Sequence, residues 1–231
     1  MNKSILHLFF LLLIISCKKE NNNTAELHIK IQGLKNGEII LLRQKEASFS
    51  KIKTITIDGQ NEVHTSIKLN GPEMLFLALN RKGSLSKDSL VGFFAEPTQM
   101  TLTSDLELFS NNLKVSGSKN QEAYYDYQSN IKKFGNQELD LIKQLIEQPE
   151  KTNEIQNRID ATKIKKQLYS INFAFNQRDL AIAPFLALHH FENSNPKIID
   201  SLYSVMGTEA RNSIYGKQLF RTIKSKKGQT N

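Results

Sequence analysis

The spacing of the apolar residues changes at Ser116-Gly117-Ser118, and this change constrains the fold more than any other feature of the sequence. Apolar residues that alternate with polar ones form one face of a strand, whereas a recurrence every three or four residues marks one face of a helix. The sequence shows the first pattern before the change and the second after it. It therefore predicts an α+β protein, with strands over residues 26–118 and an all-helical segment over residues 119–227.

Short apolar runs bounded by turn residues fill the first segment. Asp58-Gly59 is a turn signal of the hairpin kind, and Asn70-Gly71-Pro72 ends another run. The expected strands contain residues 27–31, 39–42, 52–57, 63–69, 74–79, 91–95, 100–103 and 113–115. Because no helical pattern lies between them, parallel βαβ units are not expected. The prediction is an antiparallel β-sandwich or a partly open barrel.

Apolar stripes at helical spacing run through the second segment. The longest consist of Tyr124, Tyr127, Ile131, Phe134, Leu139, Ile142 and Ile146, and of Ile164, Leu168, Ile171 and Phe175. A further helix is expected to begin at Asn195-Pro196, to stop at Gly207 and to bury Ile199, Leu202 and Met206. The last helix is expected from about Glu209 into the 220s. We interpret all these stripes as core, the usual place of an apolar helix face.

Residues 1–16 have the layout of a secretory signal peptide. Lys3 precedes an apolar stretch from Ile5 to Ile15, which only His7 interrupts. Eleven residues of helix cross about half of a hydrocarbon core roughly 30 Å thick, so the stretch is too short for a transmembrane anchor. Its end, Ile14-Ile15-Ser16-Cys17, resembles the lipobox of bacterial lipoproteins. The resemblance implies cleavage between Ser16 and Cys17 and acylation of Cys17; the alternative is an ordinary signal peptide that contains a cysteine.

Cys17 is the only cysteine, so no intramolecular disulfide can form. An acyl anchor at Cys17 would hold the protein on a bacterial membrane in the cell envelope, and we expect the outer membrane of a Gram-negative cell. Residues 17–25 are polar and predict a flexible tether, and residues 228–231 a tail. The formal net charge of +8 suits an anionic lipid surface, whereas nucleic acid is not an expected partner because the basic residues are dispersed.

Several short sequence segments within residues 26–130 resemble a β-rich domain of unknown function. They are residues 29–34, 37–42, 57–60, 71–74, 93–97 and 115–121, in this order. That domain commonly precedes a thioredoxin-like disulfide-reductase domain in Gram-negative envelope lipoproteins, after a helical connector that ends near a phrase like residues 215–219. The chain has no Cys-x-x-Cys motif, and thiol exchange requires a thiolate. The resemblance therefore implies the accessory part of such proteins rather than their catalytic part.

Histidine and tyrosine clusters are the strongest candidates for binding chemistry. His189 and His190 are adjacent, whereas a helical zinc pair is spaced i and i+4, so we expect one ring against the core and one at the surface. His28 and His64 lie in expected strands and should point to solvent. Aromatic side chains at positions 124, 125 and 127 could stack on a ligand, but the spacing favours packed Tyr124 and Tyr127 and an exposed Tyr125.

No motif identifies a catalytic residue, a metal site or a cofactor. Neither Gly-x-Ser-x-Gly nor a phosphate-binding glycine loop occurs, and we interpret Asp58 and Glu96-Pro97 as turn residues. The sequence favours a non-catalytic envelope lipoprotein that binds a partner protein or an extracytoplasmic ligand. The alternatives are the N-terminal accessory half of a split or truncated thioredoxin-like thiol-disulfide oxidoreductase, and a hydrolase or metal site assembled from residues distant in sequence.

Overall fold

The computed structural model describes residues 23–45, 48–80, 89–191 and 194–228. The predicted signal peptide, Ser16 and Cys17 lie outside these ranges. The strands are β1 (Thr24–Gln32), β2 (Asn36–Lys45), β3 (Ser48–Asp58), β4 (Glu62–Lys68), β5 (Glu73–Asn80), β6 (Leu90–Ala95), β7 (Gln99–Asp105) and β8 (Lys114–Ser116). The helices are α1 (Lys119–Glu147), α2 (Thr152–Asn176), α3 (Ile182–His190), α4 (Pro196–Val205), α5 (Thr208–Asn212) and α6 (Ile214–Gly228). The division into strands and helices at residues 116–118 is confirmed, although β1 already begins within the predicted tether.

The strands form two four-stranded sheets, ordered β4-β1-β7-β8 and β3-β2-β5-β6. All pairs are antiparallel except β1 with β7, and the sheets do not close into a barrel. The sandwich prediction is therefore confirmed. The hairpin interpretation of Asp58-Gly59 is wrong, because this turn leads from β3 to β4 in the other sheet. Gly59 accommodates the turn with a φ of 82°, in the left-handed region that favours glycine.

One apolar core lies between the two sheets. Alternate residues of the strands point into it, as the period of two requires. Its fully buried members include Leu27, Ile29, Leu41, Leu75, Leu77, Phe93 and Leu102. The opposite face of the first sheet carries polar side chains toward solvent.

A second core lies between the other face of the β3-β2-β5-β6 sheet and the helices. Met74 and Phe94 supply the sheet side, and Leu186, Phe191 and Leu202 are buried on the helix side. Strands β5 and β6 are thus covered on both faces. This explains why residues 74–79 and 91–95 are continuously apolar instead of alternating.

The predicted start of α4 at Asn195-Pro196 is confirmed. Ser118 caps α1 by accepting a hydrogen bond from the Gln121 N–H, and Asn195 caps α4 by accepting one from the Lys197 N–H. The predicted buried face of α4 is confirmed, since Ile199, Leu202 and Met206 are all buried. The expected single last helix is wrong. It is divided into α5 and α6 at Ser213.

The core interpretation fails for the far end of α1 and for the middle of α2. Leu139, Ile142 and Ile146 on α1 are 52%, 45% and 77% exposed, and Ile164 and Leu168 on α2 are also exposed. Helix α1 has 29 residues and extends beyond the sheets and α3. There it packs against α2, through a small cluster of Leu141, Ile155 and Ile159. Within the described ranges, no helix combines the length and apolarity required to cross a bilayer.

Candidate functional site

A cavity of about 520 Å³, the interface cavity, opens where the β3-β2-β5-β6 sheet meets α1, α3 and α6. This volume lies in the usual range for small-ligand sites, about 300–1,000 Å³. Ring side chains form much of its wall: Phe76, Tyr124, Phe185, His189 and Tyr215. Glutamine side chains from three elements also line it: Gln44, Gln128 and Gln218. A larger concavity along the first turns of α1, about 680 Å³, is a shallow surface lined mainly by exposed polar side chains and is the weaker candidate.

A bidentate ion pair lies at the sheet side of the cavity. Arg43, near the end of β2, donates from Nε and Nη2 to the two carboxylate oxygens of Glu73 at the start of β5, at 2.7 and 2.6 Å. The Glu73 side chain is only 7% exposed. These hydrogen bonds raise the pKa of the Arg43 guanidinium, against the opposing effect of burial. The guanidinium is therefore charged, and the two hydrogen bonds hold both side chains in a fixed orientation, as is typical of a buried, bidentate pair.

Tyr215 connects α6 to β5 beside this ion pair. Its hydroxyl accepts a hydrogen bond from the backbone N–H of Met74 at 2.7 Å. Its ring packs edge-on against Phe185 and Phe94. Burial raises the pKa of Tyr215, so the hydroxyl stays protonated at neutral pH. From the sequence, residues 215–219 show only a resemblance to a segment of other proteins, and no local pattern indicates the contacts of Tyr215 or the ion pair.

His189 and His190 are the last two residues of α3 and are both exposed, so the expectation of one core ring and one surface ring is wrong. The His189 ring lines the cavity and lies 4.5 Å from the Phe185 ring, while the His190 ring lies 5.6 Å from that of Tyr127. Partial burial lowers the pKa of both imidazoles. The charges of His189 and Lys166 lower the pKa of His190 further, by a smaller amount. In the part of the chain that the structure describes, no group of three or more His, Cys, Asp or Glu residues is placed to share a metal ion.

The tyrosines of α1 follow the expected pattern. Tyr127 is buried, and its hydroxyl shares a hydrogen bond of 2.9 Å with Ser170 Oγ. Tyr124 is half-buried at the cavity wall. Tyr125 is 36% exposed and has a structural role, since its hydroxyl donates to the Leu113 carbonyl of the loop before β8. Packing of Tyr124 and Tyr127 is confirmed, and only Tyr124 reaches the cavity.

A polar network around Glu96 fixes the walls of the cavity relative to one another. Glu96 follows β6, and its Oε1 accepts hydrogen bonds from Ser118 Oγ at 2.8 Å, Asn120 N at 2.6 Å and Asn120 Nδ2 at 2.8 Å. Asn120 Oδ1 in turn accepts from the Ile182 N–H at the start of α3. Gln121 Oε1 accepts from the Phe94 N–H of β6. Glu96 lies in the turn after β6, as interpreted, and its carboxylate also joins this turn to the start of α1.

The two strand histidines form a pair on the solvent face of the β4-β1-β7-β8 sheet. His64 is exposed, as expected, whereas His28 is half-buried beneath it. The rings stack with their centroids 4.2 Å apart. This pair is far from the interface cavity in the fold, because it belongs to the sheet that the helices do not cover.

Comparison with known families gives one finding. Residues 25–124 match a family model described as a domain of unknown function (DUF4369). The match spans all eight strands and the first residues of α1. A search of curated proteins finds no match to the sequence. Residues 25–124 therefore represent an uncharacterised, β-rich domain.

Proposed function

We propose that this protein is a lipid-anchored envelope protein whose folded part binds a small extracytoplasmic ligand in the interface cavity, without transforming it. The observation that carries the proposal is the cavity at the junction of the sheet and the helices. It joins ring side chains from four elements to an oriented ion pair and several amides. Apolar walls with a few fixed polar groups are the usual construction of a ligand site.

The hydrogen bonding of the cavity favours binding over catalysis. Arg43 and Glu73 satisfy one another, and the Tyr215 hydroxyl is engaged with the backbone of β5. A general acid or base must exchange its proton with a substrate, which these engaged groups are poorly arranged to do. They are well arranged to present a rigid polar edge to a neutral ligand that stacks on the rings.

Native mass spectrometry of the full chain, purified from envelopes in mild detergent, tests the ligand proposal. Gln218 lies on α6 at the cavity wall, and Gln218→Trp places an indole in this space. The matched control is Lys217→Trp, at the exposed neighbouring position outside the cavity lining. We expect a non-covalent adduct of reproducible mass on the wild type and on Lys217→Trp, and its loss on Gln218→Trp. No adduct on the wild type, or equal adducts on both variants, would contradict the proposal.

The proposed anchor rests on Cys17, which lies outside the described residues. Its support is the lipobox-like phrase before it and the position of the only cysteine at the predicted cleavage site. Cells grown with a radioactive fatty acid should label the wild-type protein and leave Cys17→Ala unlabelled. An unlabelled wild-type protein would contradict lipidation, and a labelled mutant would contradict the site.

An accessory role beside a thioredoxin-like oxidoreductase is the second candidate. It rests on the resemblance of residues 26–130 and 215–219 to proteins in which such a β-rich domain precedes an oxidoreductase domain, and the family match of residues 25–124 is to a domain of unknown function. The neighbouring DNA tests it. A downstream reading frame that encodes Trp-Cys-x-x-Cys would support this role, whereas an unrelated neighbour would count against it.

A further inference from the structure

The solvent face of the β4-β1-β7-β8 sheet carries two imidazoles directly opposite each other. His28 on β1 and His64 on β4 are Cα partners in the antiparallel ladder. Their rings stack with an interplanar angle of 8°. Cross-strand partners have Cβ atoms about 4.5–5.5 Å apart, close enough for both side chains to reach one small ion. Strand β4 is the edge of the sheet, so His64 has free space around it.

Glu62 supplies a carboxylate beside this pair. Its Oε2 lies 3.5 Å from His28 Nε2 and 3.7 Å from Lys30 Nζ, the partner of Glu62 across the ladder. His28 Nε2 is covered and makes no hydrogen bond within the described residues. A carboxylate at this position favours a proton on Nε2, which leaves the lone pair of His28 on Nδ1. Metal-binding histidines commonly have a carboxylate in this role, facing the nitrogen that does not bind the metal.

We propose that His28 and His64 are the protein ligands of a divalent transition-metal ion of the zinc and copper class. Imidazole nitrogen selects Zn²⁺, Cu²⁺ and Ni²⁺ over Mg²⁺ and Ca²⁺, which prefer oxygen. Nitrogen lone pairs lie in the ring plane, so two stacked rings do not converge on one point. The exposed His64 ring turns out of the stack to bind, and water completes the coordination. Glu62 orients His28 and offsets the charge of the ion, while Lys30, half exposed, moves aside.

Titration of the full chain with Cu²⁺ and Zn²⁺ tests the site, followed by calorimetry and, for Cu²⁺, by the visible d–d absorption. We expect one ion per chain, and tighter binding of Cu²⁺ than of Zn²⁺. His64→Ala should weaken binding by more than about tenfold, and Glu62→Gln by about ten- to a hundredfold, as for other carboxylates behind a metal-bound histidine. Acidification should release the metal, because protonated imidazole is no ligand.

The matched control is His190→Ala, which removes an exposed histidine of α3 that does not line the cavity and should bind as the wild type does. Circular dichroism checks that each variant is folded, and His64 is exposed enough that its replacement leaves the sheet intact. Wild-type protein that binds neither ion at tenfold molar excess would overturn the proposal. So would His64→Ala protein with unchanged affinity, or equal weakening in His190→Ala.

Discussion

The network around Glu96 gives the most specific prediction for the stability of the fold, because one carboxylate oxygen accepts hydrogen bonds from three donors. Ser118 Oγ, Asn120 N and Asn120 Nδ2 all donate to Glu96 Oε1. Ser118 and Asn120 are buried. Glu96→Ala removes the only acceptor that the structure shows for these three donors, and leaves buried polar groups at the junction between the sheet and α1.

The size of the effect follows from the number and type of these bonds. A hydrogen bond to a charged group contributes about 1.5–3 kcal/mol, and each buried donor left without a partner costs about 1–3 kcal/mol. The three bonds share one oxygen, so they do not add fully. We expect Glu96→Ala to lower the free energy of unfolding by about 3–5 kcal/mol. At about 2–4 °C per kcal/mol for a protein of this size, the midpoint temperature should fall by roughly 6–20 °C.

Urea unfolding followed by circular dichroism measures this loss. Glu96→Gln keeps an acceptor oxygen but removes the charge, and should cost about half as much, since charge-assisted bonds are roughly twice as strong as neutral ones. Glu122→Ala is the control, because Glu122 is exposed in the first turn of the same helix and contributes only its charge. A Glu96→Ala protein within about 0.5 kcal/mol of Glu122→Ala would refute the reasoning, since only the interaction with the helix dipole would then remain.

The remaining predictions concern four single residues. Gly117 has a φ of 89°, and a Cβ at this position would collide with a backbone carbonyl of β7. Gly117→Ala should therefore lower the free energy of unfolding in urea by about 2–4 kcal/mol. Gly135 lies in open space within α1, so Gly135→Ala should raise it by about 0.5–1 kcal/mol. Tyr215→Phe should cost about 1–3 kcal/mol in the same assay by leaving the Met74 N–H without its acceptor. Because burial raises the pKa of Tyr215, the unfolded state loses this proton first as the pH rises above about 10, so stability should fall there in the wild type and less in Tyr215→Phe. Because burial lowers the pKa of His189, the midpoint of its NMR titration should lie below about 6.5, and the free energy of unfolding should decrease on acidification through that pH range. A midpoint above about 6.5 would contradict the packing of this ring.

The strand half could be predicted closely from local patterns, since turns and alternation are properties of neighbouring residues. All eight strands fall where the apolar runs indicate. The sheet to which each strand belongs could not be predicted in this way. Asp58-Gly59 has the composition of a hairpin turn, yet β3 pairs with β2 and β4 pairs with β1. The choice between a hairpin and a crossing to the other sheet depends on long-range packing, which a turn motif does not contain.

The candidate sites depend on contacts between residues distant in sequence. Arg43 and Glu73 are 30 residues apart, and Met74 and Tyr215 are 141 apart. The available signals were weak: a charged residue at the edge of a continuously apolar run, and a histidine in each of two strands. Such a charge requires a partner once the run is buried on both faces. The sequence could therefore have indicated that Glu73 is paired, but not with which cation.

Helical periodicity identifies an amphipathic face without identifying what covers it. On α1 the same stripe includes Tyr127, which is buried against α2 and α3, and Ile146, which is 77% exposed. The difference arises from length, because α1 continues for several turns after the sheet and α3 have ended. Leu141 of α1 remains buried there because Ile155 and Ile159 of α2 pack against it. Burial on a long helix is thus set by the extent of its neighbours, and a stripe predicts core only over the length that those neighbours span.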